Sequence, residues 1–288
     1  MQQRPFRQID VFSHHPGFGN PVAVVLDAQG LSDADMRRFA AWTNLSETTF
    51  LMPPTAAGHA AGADYRLRIF SPRGELPFAG HPTLGTCRAW LQQGHTPRVP
   101  GLVVQESAQG LVQIEHHGNT LAFAAPPLQR CTPSPALVPL VASALGLRPH
   151  QIQAAQLLDN GPVWLGLLLD SADTVLGLTP DHARLKDLGQ DVGVIHIAPD
   201  AGADPERPGA VVRAFAAPMG NPEDPVTGSL NASLAQWLIA EGLAPTRYLV
   251  AQGECLGRAG RVYIRQDAQG QVWVGGHTVT CIEGTALL

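Results

Sequence analysis

The sequence predicts an α+β protein made of two pseudo-symmetric domains, each a mixed or antiparallel sheet wrapped around a central helix. Three observations carry this expectation. The chain has 288 residues, enough for two medium domains. It holds 30 Gly and 25 Pro, a supply that suits many short strands and tight turns better than a helical bundle. And it repeats itself: "ELPFAG" from Glu75 returns as "EDPVTG" from Glu223, each running into a helical stretch that closes at a glycine, Gly94 and Gly242.

The repeat extends through both halves in one order. "NPVAVVLD" (Asn20 to Asp27) reads as a strand and is echoed by "NGPVWLGLLLD" (Asn160 to Asp170). A short helix follows each, Asp33 to Trp42 and Asp181 to Leu188, then a strand ending at Pro53 or Pro199. "RIFSP" (Arg68 to Pro72) matches "RAFAAP" (Arg213 to Pro218) as a further strand. In the first central helix Pro82 takes an early position and Leu84, Cys87 and Leu91 share a face; in the second, Ser229 is the expected N-cap. Ala108-Gln109-Gly110 and Ala268-Gln269-Gly270 then form hairpin turns. So many matches in register imply duplication of a whole domain. "APPLQRCTPSP" (Ala125 to Pro135) is the expected link, which sets the domains at about 1–127 and 128–288, with a terminal strand near 277–288 a candidate to pack with the first. "APDAGADPERPGA" (Ala198 to Ala210) reads as an exposed loop inside the second half.

Composition narrows the function. A formal net charge of -5 disfavours a nucleic-acid partner. No run is apolar enough for a membrane span, and Arg4, Arg7 and Asp10 interrupt any signal-peptide core, so a cytoplasmic protein is expected. Cys87, Cys131, Cys255 and Cys281 are far apart and read as reduced, mostly buried thiols; with no H-E-x-x-H helix, no metal is expected. Trp42, Trp90, Trp164, Trp237 and Trp273 read as core or cleft walls rather than as a base-stacking surface.

The two helix starts offer unpaired backbone N–H groups and partial positive charge, which suit a carboxylate held in a cleft between the domains. Differences between the copies point more sharply at chemistry, because one copy folds without them. Aligned on Pro53 and Pro199, Glu47 falls opposite Gly193; Asp224 replaces Leu76; His81 stands where the other copy has Ser229. Glu47 begins a strand whose Phe50 and Met52 read as buried, among the hydroxyls of Ser46, Thr48 and Thr49 that can orient it, and partial burial would raise its pKa toward that of a general base. A solvated strand-end Glu, an Asx-turn Asp before Pro225 and a capping His are the ordinary alternatives for these three residues.

"GFGNPVAVVLD", "SETTFL", "FSPRGELPFAGHPTLGT", "EDPVTGS" and "QGECLGRAGRVYI" together resemble the signature segments of the PhzF-like family of phenazine biosynthesis, and they span most of the chain. The resemblance implies a diaminopimelate-epimerase fold with the active site between two domains, a homodimer, and isomerisation of a small carboxylate such as trans-2,3-dihydro-3-hydroxyanthranilate without metal or organic cofactor. It assigns the catalytic acid/base to Glu47 in the S-E-T motif, and further site residues to Gly80 and His81, Asp224 in D-P-V-T-G, Gly228 and Ser229, and Asn20 in G-N-P. By the same resemblance Glu47 shuttles a proton on the substrate while Asp224 and His81 position its amine or hydroxyl. Two-thiol racemisation is not expected, since Cys87 has no counterpart in the second copy. A one-base epimerase or racemase using Glu47, and a non-catalytic ligand-binding member, are the alternative readings.

Overall fold

A computed structural model describes residues 2–288 and divides the chain into two compact units, one running to Ala124 and including Gly275–Leu288, the other Ala125–Val274.

The first unit contains β1 (Gln3–Val11), β2 (Asn20–Val25), α1 (Asp33–Thr43), β3 (Thr48–Met52), α2 (Ala56–Ala60), β4 (Tyr65–Ser71), β5 (Gly74–Leu76), α3 (Gly80–Gln92), β6 (Leu102–Ser107), β7 (Gly110–His117) and β8 (Thr120–Ala124). Its sheet is mixed. β1 runs antiparallel to β2, β2 parallel to β3, β3 antiparallel to β4 and β4 parallel to β6, and β6 to β8 form an antiparallel meander. Helix α1 starts where a capping box dictates, with Ser32 accepting from the Asp35 amide and the Asp35 carboxylate accepting from Ser32. Helix α3 is the central helix: ten of its thirteen residues are buried, and it packs against β1, β2, β3, β4 and β8. The approach depends on Gly85, where an added Cβ would lie 2.3 Å from a methyl of Val22.

The second unit repeats the plan with additions: β9 (Gln129–Cys131), α4 (Leu137–Leu145), β10 (Ile152–Asp159), β11 (Val163–Leu169), α5 (Ala172–Gly177), α6 (His182–Leu188), β12 (Asp191–Ile197), β13 (Ala210–Ala216), β14 (Asn221–Asp224), α7 (Gly228–Ala240), β15 (Arg247–Gln252) and β16 (Gly260–Gln266). The last strand, β17 (Val272–Leu287), starts here, and its residues from Gly275 belong to the first unit, where they pair antiparallel with β1. β9, β10 and β11 are antiparallel, β11 and β12 parallel, β12 and β13 antiparallel, β13 and β15 parallel. Val141 and Leu145 of α4, Val175 of α5 and Leu185 of α6 bury one apolar stripe against Leu165, Leu167, Val194 and Phe215 of the sheet. Helix α7 is the second central helix, with ten buried residues, and packs on β10, β11 and β16.

The α+β class and the one central helix per unit agree with the sequence. Three local expectations do not. The N-cap of α7 is Thr227, and Ser229 lies inside the helix. Only Cys87 is buried; Cys131, Cys255 and Cys281 are exposed, because they sit on the edge strand β9, a 3₁₀ turn and the outer end of β17 rather than on a core face. Trp42 is 77% exposed, stacked on Phe39 at the surface of α1, whereas the other four tryptophans are buried. The expected link begins where the first unit gives way to the second, and it carries β9, which pairs with β10.

Candidate functional site

In the first unit the parallel pairing of β2 with β3 matches Ala23 to Thr48, which brings the residue before Thr48, Glu47, beside the start of β2. Helix α3 enters at the same place. Its second residue, His81, is 5% exposed and its ring is hydrogen-bonded to the carbonyl of Pro21, while Nε2 lies 3.3 Å from Oε2 of Glu47. Asn20, 1% exposed, opens β2 opposite Val11. The structure thus gathers Asn20, Glu47, Gly80 and His81 from three separate stretches of sequence.

The Glu47–His81 contact is not an ordinary ion pair. Burial pushes the imidazole pKa down to about 3, against the smaller opposing effect of the Pro21 carbonyl, so the ring is neutral at neutral pH. Nε2 itself makes no hydrogen bond, so the bond to Pro21 belongs to Nδ1–H. In that tautomer Nε2 presents a lone pair. Nε2 can therefore accept a hydrogen bond from Glu47 only when the carboxyl is protonated. The expected hydroxyl support for Glu47 is absent at two residues: Thr48 bonds Thr43 at 2.8 Å, and Thr49 donates to the Ala23 carbonyl and accepts from Thr86. Ser46 Oγ is buried without a partner.

In the second unit Asp224 ends β14, four residues before Gly228 opens α7. Asp224 is 8% exposed and accepts from Thr227 Oγ1 at 2.5 Å and from Asn221 Nδ2 at 3.2 Å. Gly228 and Ser229 form the first turn of α7, and the Ser229 carbonyl accepts from buried Asn160. Neither central helix has a side-chain cap bond at its start.

The strand register corrects one comparison between the copies. Arg68 donates two hydrogen bonds to Glu75 and lies over Phe70 at 5.1 Å; Arg213 does the same to Glu223 and lies over Phe215 at 5.1 Å. These pairs equate Phe70 with Phe215. Phe70 faces Thr48 and Phe215 faces Val192, so Glu47 corresponds to Asp191, not to Gly193. The second copy therefore has a carboxylate there. Burial raises its pKa to about 6, and its Oδ1 is buried without a hydrogen bond. Ionising it at neutral pH opposes folding by at most about 3 kcal/mol, or roughly 1 kcal/mol after solvent screening. The folded pKa lies above the unfolded value of 3.8, so stability is full below 3.8 and is lost as pH rises through 6. Asp191→Asn is expected to stabilise the protein at pH 7.5 and to be neutral at pH 3.5; equal effects at the two pH values in denaturant titrations would contradict this.

Among the described residues, no group of three or more His, Cys, Asp or Glu side chains stands close enough to hold a metal ion, and no helix is long and apolar enough to cross a membrane. Burial raises the pKa of the Cys87 thiol and keeps it neutral in the middle of α3, away from the helix start.

The sequence model of the family described as "Phenazine biosynthesis-like protein" matches residues 9–284. The chain is 35% identical to "Antisense-enhancing sequence 1" of Schizosaccharomyces pombe over all of both chains. It is 34% identical to a trans-2,3-dihydro-3-hydroxyanthranilate isomerase of Pseudomonas aeruginosa, over 97% of this chain and 98% of the other. A Bacillus anthracis phenazine biosynthesis protein of the PhzF family shares the fold over 100% of both chains, with a TM-score of 0.82 at 23% identity. Fold and relatives together define an isomerase on a duplicated α+β scaffold. The chain belongs to the phenazine biosynthesis-like, or PhzC-PhzF, family.

Proposed function

We propose that the protein moves a proton within a small carboxylate of the kind isomerised by its Pseudomonas aeruginosa relative, with Glu47 as the acid/base. The observation that carries this reading is the Glu47–His81 contact, a carboxyl 3.3 Å from the lone pair of a neutral, buried imidazole. Glu47 as carboxylate can take a proton from carbon and, once protonated, can donate to the Nε2 lone pair until it returns that proton. Pro21 fixes the tautomer, and the start of α3 fixes the ring.

In this reading Glu47 removes a proton from a carbon made acidic by an adjacent unsaturated or carboxyl-bearing centre, and returns one elsewhere on the same skeleton. The uncapped first turns at Gly80-His81 and Gly228-Ser229 serve substrate carboxylate recognition through backbone N–H groups. Asp224, held as a hydrogen-bond acceptor, addresses a substrate amine or hydroxyl, and Asn20 completes the polar contacts. Acid–base participation supplies about 10²- to 10⁴-fold, and positioning the remainder.

The test is solvent exchange. The protein is incubated in heavy water with a panel of amino- and hydroxy-substituted cyclic carboxylates, trans-2,3-dihydro-3-hydroxyanthranilate included, and deuterium is located by mass spectrometry. The native protein is expected to label a panel member and Glu47→Gln to label none. Label at a new carbon marks isomerisation, and label only at the original stereocentre marks one-base epimerisation. Undiminished exchange in Glu47→Gln would remove Glu47 from the chemistry.

A further inference from the structure

Where the copies differ at Asp224 they also differ in polarity at a second position: "ELPFAG" has Leu76 and Ala79, and "EDPVTG" has Asp224 and Thr227. Thr227 occupies the N-cap of α7, a position where threonine ordinarily accepts from the helix's own amides and contributes about 1 kcal/mol. Here it makes no cap bond. Its hydroxyl is turned to Asp224 at 2.5 Å instead.

A buried glutamine favours the direction of that bond, from hydroxyl to carboxylate. Gln252, at the end of β15 and 1% exposed, meets four groups of this turn. The backbone N–H of Thr227 can only donate, so the glutamine atom 3.1 Å from it is Oε1, which also accepts from Asn231 Nδ2 at 2.8 Å. The carbonyl of Asp224 can only accept, so the atom 3.2 Å from it is Nε2. Nε2 therefore also donates to Thr227 Oγ1, at 2.9 Å. One lone pair of the hydroxyl is thereby taken, and an ionised Asp224 Oδ2 can only accept its proton. Asn231, in turn, is anchored on the Thr227 carbonyl at 2.8 Å.

The first unit has a buried glutamine near its central helix too, but the strand register sets it level with Val250, two residues before Gln252. Gln105, buried on β6, accepts from Tyr65 and donates to Thr83 of α3, and so only fastens strand to helix. The loop after Gln252 holds the second arrangement from outside: Gly253 sits at φ +94°, and a Cβ there would lie 2.6 Å from the Pro225 carbonyl.

We propose that Thr227 and Gln252 are positioning residues which hold Asp224 in its acceptor, carboxylate form for the reaction; this rests on the proton-transfer reading above. Asn231 sets Gln252, Gln252 sets the Thr227 hydroxyl, and the hydroxyl sets Asp224. The helix cap given up in the second copy is the structural cost of that relay.

The test uses Thr227→Val, which keeps the shape and takes no cap from α7, beside Thr227→Ser, which restores the hydroxyl. Intact protein carrying ¹³C-carboxyl aspartate is titrated by NMR, with the Asp224 signal assigned by its loss in Asp224→Asn. Thr227→Val is expected to move the Asp224 titration to higher pH and Thr227→Ser to leave it in place. In exchange assays Thr227→Val is expected to lose about 10-fold or more, a loss absent in an Asp224→Asn background. An Asp224 titration identical in native protein and Thr227→Val would overturn the proposal. A shifted titration in a native protein that exchanges no substrate would leave the relay standing and remove the proton-transfer reading.

Discussion

Glu223→Gln is expected to destabilise the protein by about 3–5 kcal/mol, far more than the equivalent change at Glu75. Arg213 and Glu223 form a two-bond pair whose side chains are 6% and 8% exposed. Burial acts against the guanidinium charge, but the bonds and charge of Glu223 outweigh it, and the pKa of Arg213 is raised. The same guanidinium donates to the carbonyls of Val175 and Leu178, tying the end of α5 to the sheet. Removing the carboxylate charge leaves a buried cation against an amide and those carbonyls. The copy in the first unit is the control. Arg68 and Glu75 are 16% and 31% exposed, and Arg68 keeps Asp33 as a second partner, so Glu75→Gln is expected to cost roughly 0.2–1 kcal/mol. Equal losses for the two variants in denaturant titrations would show that burial does not separate the pairs. Glu223 precedes Asp224 on a four-residue strand whose register to β13 is irregular, so the pair also steadies the residue that the Thr227 relay orients.

Much of this was legible in the sequence, and what escaped did so for definite reasons. Duplication, the two central helices and the Glu47, His81 and Asp224 positions are written in short contiguous motifs with local turn and cap chemistry. The correspondence of Glu47 with Asp191 was hidden because β3 spans five residues and β12 seven. Lengthening a strand by two preserves which face every side chain takes, so the apolar pattern records no slip and the terminal prolines mislead. The link between Gln252 and Thr227 was hidden differently. It joins residues 25 positions apart by side-chain hydrogen bonds, which leave no periodic trace. The cap was read at Ser229, two residues on from Thr227, because a serine before an apolar run is the usual signal; the structure puts Thr227 there with its hydroxyl diverted from capping.

Acid is the second large lever, and it bears on how Glu47 holds its proton. The unfolded imidazole of His81 takes a proton near pH 6.5 and the folded one near 3, so between these values the unfolded chain binds more protons. Stability from this group is therefore full above 6.5 and falls as pH drops toward 3, by up to about 5 kcal/mol across the window. Between pH 6.5 and 4.5 the share is about 2.3 kcal/mol, in a range where Asp191 works the opposite way. Denaturant titrations of native protein and His81→Asn over those two pH values isolate the imidazole, since Asp191 is common to both. The native protein is expected to lose more stability by about that amount. Parallel slopes would mean that Glu47 keeps the ring charged in the fold, and the contact would then be an ion pair between an imidazolium and a carboxylate. The distinction decides the chemistry: a neutral ring leaves Glu47 to carry the proton that it takes from carbon and returns, whereas an imidazolium would make His81 the acid and Glu47 only its counter-ion.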